Sequence, residues 1–156
     1  MSDVKDKLLK NIRTDEDLRD LSYVVDGEEI KVNRTLMAAS CDYFKTMLYG
    51  KTNEAKQSRI VLTCTPLEAF KKVVEFIYTD YCNIDEIEEV NLIELIGLAH
   101  LYQFEELLNF LFPKINVDKR SVDFNIALFD LTSGKIMEKW REEILEYFDI
   151  LFVDKV

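Results

Sequence analysis

The dipeptide Asp26-Gly27 constrains this chain more than any other two residues. It stands between two short runs of alternating apolar residues, with Leu21, Tyr23 and Val25 before it and Ile30 and Val32 after it. A two-residue hairpin turn needs φ > 0 at both positions, which Asp and Gly tolerate, so the pattern predicts two antiparallel strands. The period then changes. Leu36, Met37 and Ala39, followed by Tyr43, Phe44, Met47 and Leu48, recur at helical spacing. Asn33 and Ser40 are the expected N-caps of two short helices, and Gly50 is the expected C-cap. The stretch from Asp20 to Gly50 reads as a hairpin running into a helical pair, and the rest of the chain is organised around it.

Before it, Val4, Leu8, Leu9 and Ile12 fall on one face of a short helix with charged residues opposite. A helix that short is marginal alone. Its apolar face must pack either on its own domain or on a second chain. After Gly50 the polar stretch Lys51 to Ser58 reads as an exposed loop, and Arg59 to Thr63 as a third strand. Thr65-Pro66-Leu67-Glu68 has the form of a helix start, with Thr65 capping, Pro66 at the first helical position and Glu68 completing a capping box. Leu67, Phe70, Val73, Val74 and Ile77 carry that helix to about Tyr78. An acidic connection from Asp80 to Glu89, with a short extended piece at Tyr81 to Ile84, precedes an almost wholly apolar helix from Leu92 to Tyr102. Such a helix belongs in a core. Phe104 to Leu111 form another, closed by Pro113. Val122, Ile126 and Phe129 mark a further helix ended by Ser133-Gly134, and Ile136, Trp140, Ile144 and Phe148 mark a last one. The expected class is α+β, a small three-strand sheet with a cluster of helices and a C-terminal helical pair. Its expected divisions are residues 1–17, 18–116 and 117–156.

Chemistry finds little foothold. The 156 residues hold four glycines, and no glycine-rich phosphate loop, zinc-protease or nucleophile-elbow motif occurs among them. The single histidine, His100, lies in the apolar helix and reads as a core residue. Acidic doublets such as Glu105-Glu106 read as solvated helix faces. No catalytic residue, cofactor or metal is expected. The formal net charge of −10 argues against nucleic acid and anionic membranes, which both require a basic surface. No apolar run approaches a membrane span and the charged N-terminus is unlike a signal peptide. Cys41, Cys64 and Cys82 are odd in number and widely spaced, which fits reduced thiols in the cytoplasm or nucleus.

The residues quoted above resemble a BTB/POZ domain. That family reads Asp-Val, a strand, a turn, an apolar strand, Ala-His-Arg, Leu-Ala-Ala-x-Ser, Tyr-Phe and Met-Leu-x-Gly. The matching residues are Asp20, Val24, Val25, Gly27, Ile30, Arg34, Leu36, Ala38-Ala39-Ser40, Asp42-Tyr43-Phe44 and Met47-Leu48-x-Gly50. Ala69-Phe70, Phe76-Ile77-Tyr78-Thr79, Leu98-Ala99 and Tyr102 continue the match, which runs from Leu18 to Phe112. Beyond it, residues 117–148 resemble the first helical pair of a BACK region.

The resemblance implies a non-catalytic protein-interaction module. Members commonly homodimerise through an N-terminal helix, here Val4, Leu8, Leu9 and Ile12, with a charged pair, Asp20 and Arg34, near the interface or forming a structural salt bridge. Many also dock cullin-3 as substrate adaptors of ubiquitin ligases. That contact would involve Tyr43 and Phe44 and a hydrophobic-x-Glu motif in the following loop, here Thr52-Asn53-Glu54. Glu54 matches; Thr52 offers less apolar area than the family's residue. Asn33 replaces the family's histidine. The expected partners are a second copy, the cullin-3 N-terminal domain and a substrate protein of unspecified kind. The competing expectations are an oligomerisation, scaffold or transcription-regulator module without cullin binding, or a short competitor of full-length adaptors.

Overall fold

The structure, a computed structural model, describes residues 2–131. The chain divides between Tyr81 and Cys82 into two compact units.

The first unit begins with helix α1 (Ser2–Thr14) and a single 3-10 turn at Glu16–Leu18. Strands β1 (Leu21–Val25) and β2 (Glu28–Val32) then pair antiparallel, with Tyr23 opposite Ile30. Asp26 at φ 49° and Gly27 at φ 80° make the turn, as the dipeptide requires. Two short helices follow, α2 (Arg34–Ser40) and α3 (Asp42–Tyr49). They form the crossover that a parallel strand needs. Strand β3 (Arg59–Leu62) accordingly returns beside β1 in parallel, Tyr23 facing Ile60, and the sheet order is β2-β1-β3. As the central strand, β1 buries Leu21, Tyr23, Val24 and Val25. The Tyr23 ring meets Phe70 edge-on at 5.3 Å between centroids and lies 6.4 Å from Phe44. Helix α4 (Leu67–Thr79) buries Ala69, Phe70, Val73, Phe76 and Ile77, each large side chain contributing about 1.5–3 kcal/mol. It stops at Asp80, whose N–H still bonds the Phe76 carbonyl while its left-handed backbone (φ 59°) turns the chain out of the helix.

The helix ends differ from the expectation. Asn33 occupies the N-cap position of α2 without a side-chain capping bond, because Tyr78 and Leu18 engage its amide. Ser40 is the last residue of α2, and Cys41 holds the N-cap position of α3. Thr65 does not cap α4. Its hydroxyl donates to the Thr63 carbonyl, and Pro66 stands at the cap position with Leu67 the first helical residue. Gly50 does cap α3, in an extended rather than left-handed conformation. Glycine is required there because a Cβ would overlap the Thr46 carbonyl oxygen.

The second unit opens on the Cys82–Ile84 segment, where Cys82 and Ile84 are buried but form no strand. Helix α5 (Glu89–Leu101) buries Leu92, Leu95, Ile96, Leu98 and Ala99, and α6 (Glu105–Leu111) buries Leu107, Leu108 and Leu111. His100 is only half-buried, and its Nδ1 has no hydrogen-bond partner among the described residues. Helix α7 (Val122–Leu131) shows the face opposite to that expected. Phe124, Asn125 and Leu128 are inside, while Val122 and Ile126 are exposed and Phe129 is half-buried. Polar bonds set this rotation. Asn125 Nδ2 donates to the carbonyls of Val117 (3.0 Å) and Ser121 (3.1 Å), and the Ser121 hydroxyl accepts from the Phe124 N–H at 3.1 Å. The expected stop at Ser133-Gly134 and the last helical pattern, Ile136 to Phe148, lie outside the described residues.

Candidate interaction surfaces

Helix α1 carries Asp3 in its first turn and Arg13 in its last, both matched to the helix dipole. Its C-terminal end is anchored. The Arg13 guanidinium lies 3.5 Å from the Asp80 carboxylate, Arg19 donates to the Arg13 carbonyl at 3.4 Å, and Arg19 stacks 5.2 Å from the Tyr78 ring centroid. A groove of about 350 Å³ runs beside it, lined by Asp6, Leu9, Lys10, Arg13, Thr14 and Tyr78. The apolar stripe stays largely uncovered. Val4 is 66% exposed, Leu8 58%, Leu9 40% and Ile12 39%.

Asp20 and Arg34 do meet, but not as an ion pair. Asp20 Oδ1 accepts from the backbone N–H of Arg34 at 2.8 Å, so Asp20 satisfies the first turn of α2 in place of Asn33. The Arg34 guanidinium points elsewhere. Its Nη1 donates to the carbonyls of Leu48 (2.9 Å) and Ala55 (3.4 Å), and its Nη2 to the carbonyl of Gln57. Sequence spacing gave no sign of these bonds, since the acceptors are backbone groups that any residue carries.

The segment after α3 is a loop containing a 3-10 turn at Asn53–Lys56. Thr52 is half-buried, and its hydroxyl donates to the Met47 carbonyl at 2.8 Å. Asn53 is exposed and Glu54 half-buried. On α3, Tyr43 is 38% exposed whereas Phe44 is fully buried. Phe44, expected at the partner surface, instead lies beneath it, edge-on to Tyr43 at 5.6 Å. Tyr49, not singled out from the sequence, is more exposed than Tyr43 and has its hydroxyl 3.1 Å from Thr35 Oγ1. Among the described residues no group of His, Cys, Asp or Glu could hold a metal ion, and no helix is long and apolar enough to cross a membrane.

A three-strand sheet with a parallel return through two short helices, preceded by an apolar-faced helix, is the frame on which these surfaces sit. The family model described as BTB/POZ domain matches residues 9–118. The chain belongs to the BTB/POZ family. It is 31% identical over 117 residues to BTB/POZ domain-containing protein 9 of Homo sapiens, covering 72% of this chain and 19% of that protein. It is 32% identical over 136 residues to Kelch-like protein 22 of Homo sapiens, covering 84% and 21% respectively. The chain thus spans about a fifth of the length of these relatives. The BTB domain of human gigaxonin superposes with a TM-score of 0.59 at 19% identity, over 74% of this chain and 93% of that one. The BTB domain of zebrafish PATZ1 gives 0.58 at 15%, over 70% and 88%. At these identities the structural likeness is one of fold, and the fold is α+β BTB. BTB domains are protein–protein interaction modules, and this chain presents such a module.

Proposed function

We propose that this chain is a homodimerising BTB adaptor that docks the cullin-3 scaffold of a ubiquitin ligase. The uncovered stripe of α1 carries the dimer reading. Four apolar side chains at helical spacing, on a helix too short to be stable alone, are still 39–66% exposed, so covering them gains about half of the 1.5–3 kcal/mol that full burial of each would bring. A second copy is the occupant that the family resemblance implies. Tyr43 and the loop carrying Asn53 and Glu54 support the cullin reading, as does the similarity to a Kelch-like protein over most of the chain. We assign residues 1–17 to dimerisation, 18–116 to the BTB domain and 117–156 to a BACK-like helical pair, acting in the cytoplasm or nucleus on an adaptor's substrate.

One observation favours a second reading, a BTB oligomeriser or scaffold without cullin. Thr52 stands where the family places an apolar side chain, and its hydroxyl is turned inward onto Met47. Calorimetric titration against the cullin-3 N-terminal domain, with mass by light scattering, separates the two. Submicromolar binding by a dimer supports the adaptor. A dimer without detectable binding supports the scaffold, and a monomer removes both.

A further inference from the structure

We infer that Arg34 is a positioning residue that sets the conformation of the docking loop, residues 51–57, and is not a dimer-interface charge. What the loop docks rests on the adaptor reading; its dependence on Arg34 does not. The guanidinium is a planar fork of five donors, and here it reaches carbonyls before, within and after the loop's turn: Leu48, Ala55 and Gln57 respectively. Leu48 lies in the last turn of α3, where carbonyls lack partners within the helix and favour a cation. Each of three successive carbonyls there is met from outside the helix: Thr46 by the Gly50 N–H, Met47 by the Thr52 hydroxyl and Leu48 by Arg34. Asp20 holds the backbone of Arg34 from the other side. With its carbonyls drawn onto Arg34, the loop keeps Lys51, Asn53 and Lys56 exposed. Its conformation is therefore fixed before any partner arrives, which removes an ordering cost from binding.

The test compares Arg34→Gln and Arg34→Lys with the full wild-type chain by amide hydrogen exchange, light scattering and titration with the cullin-3 N-terminal domain. The amides of Ala55 and Gln57, bonded within the loop to the Thr52 and Glu54 carbonyls, are the local probes. In Arg34→Gln they exchange about tenfold faster or more, from loss of charge-assisted hydrogen bonds. Exchange in β1 and α4 and the oligomeric mass stay unchanged, and cullin affinity falls about tenfold. Arg34→Lys, which keeps the charge without the fork, falls between; if Arg34→Gln fails to fold, the comparison is read in Arg34→Lys. Unchanged loop exchange, protection lost evenly across β1 and α4, or a fall in mass would each overturn the inference. If the wild type itself does not bind cullin-3, the adaptor reading fails, and loop exchange still decides the role of Arg34.

Discussion

Tyr78 and Asn33 exchange two hydrogen bonds across 45 residues of sequence. The Tyr78 hydroxyl donates to Asn33 Oδ1 at 2.6 Å and accepts from the Asn33 backbone N–H at 2.8 Å. Asn33 Nδ2 donates in turn to the Leu18 carbonyl at 3.0 Å. The last turn of α4, the start of α2 and the entry to β1 are thereby tied at one buried amide. The same contact explains why Asn33 does not cap α2 and why Asp20 does so in its place.

Tyr78→Phe is therefore expected to lower stability by about 1–3 kcal/mol, because it leaves a buried amide oxygen and a backbone N–H without their partner. Urea unfolding of the two proteins measures this. A difference below about 0.5 kcal/mol would mean that water replaces the hydroxyl at no cost.

The same tyrosine predicts a response to alkali. Burial raises its pKa above the ordinary 10.0, aided by the Asp20 carboxylate and opposed by the Asn33 hydrogen bond and Arg19. A folded-state pKa above the unfolded one means that the unfolded chain loses its proton first. The stability tied to the neutral phenol is fully present below pH about 10 and is lost as pH rises through the higher folded value. The stability difference between wild type and Tyr78→Phe should accordingly shrink as pH rises above about 10. A constant difference there would contradict the assignment.

Gly50→Ala tests the close approach at the end of α3. The backbone there is extended, so φ is no obstacle; the added methyl collides with the Thr46 carbonyl, which is itself hydrogen-bonded. Overpacking against backbone costs about 1–3 kcal/mol. Chemical denaturation should show that loss, whereas Gly27→Ala, at an open position, should show only the strain of its positive φ.

These contacts mark where the sequence was legible. The hairpin was, because Asp26-Gly27 states its own backbone angles. The existence of α1, α4 and α6 was, because each carries an apolar stripe long enough to count, and that of α5 was because its run is apolar almost all round. Side-chain capping was not: Asn33, Ser40 and Thr65 are of capping type, but the bonds open to their side chains were decided by Tyr78, Met37 and Thr63. The rotation of α7 was not legible either. Val122, Ile126 and Phe129 form as good a stripe as Phe124 and Leu128, and the choice fell to the amide of Asn125. At the candidate site, the α1 face and Tyr43 could be read by position, while the reach of Arg34 depends on backbone carbonyls that leave no mark in the sequence.

Ser121 joins α7 to α5 through Glu89, and the link should respond to acid. Glu89 Oε2 accepts from the Ser121 hydroxyl at 2.6 Å and Oε1 from its N–H at 3.1 Å. These bonds, with Arg120 nearby, hold the Glu89 carboxyl below its ordinary 4.5, against a small opposing effect of burial. A depressed folded pKa means that the contribution is present above pH 4.5 and lost as pH falls through the lower folded value. Ser121→Ala should return the Glu89 titration toward 4.5, as read by NMR, and cost α7 about 1 kcal/mol through the lost cap. An unmoved titration would show that the serine is not what holds the charge.

The dimer reading makes the last prediction. Leu8 and Leu9 lie on the uncovered stripe of α1, so replacing both with Glu removes apolar area where a second copy would pack and places two carboxylates there. Neither residue is among the buried ones, so the fold of the monomer should survive. Light scattering should show the wild type at twice the chain mass and the double variant at one, with an unchanged circular dichroism spectrum. Leu8 is 58% and Leu9 40% exposed, so covering each contributes about half of the 1.5–3 kcal/mol of full burial, and the two together shift the dissociation constant by roughly one to two orders of magnitude per protomer. A wild type already at monomer mass would defeat the reading outright. A double variant that stays dimeric would place the interface elsewhere than on α1.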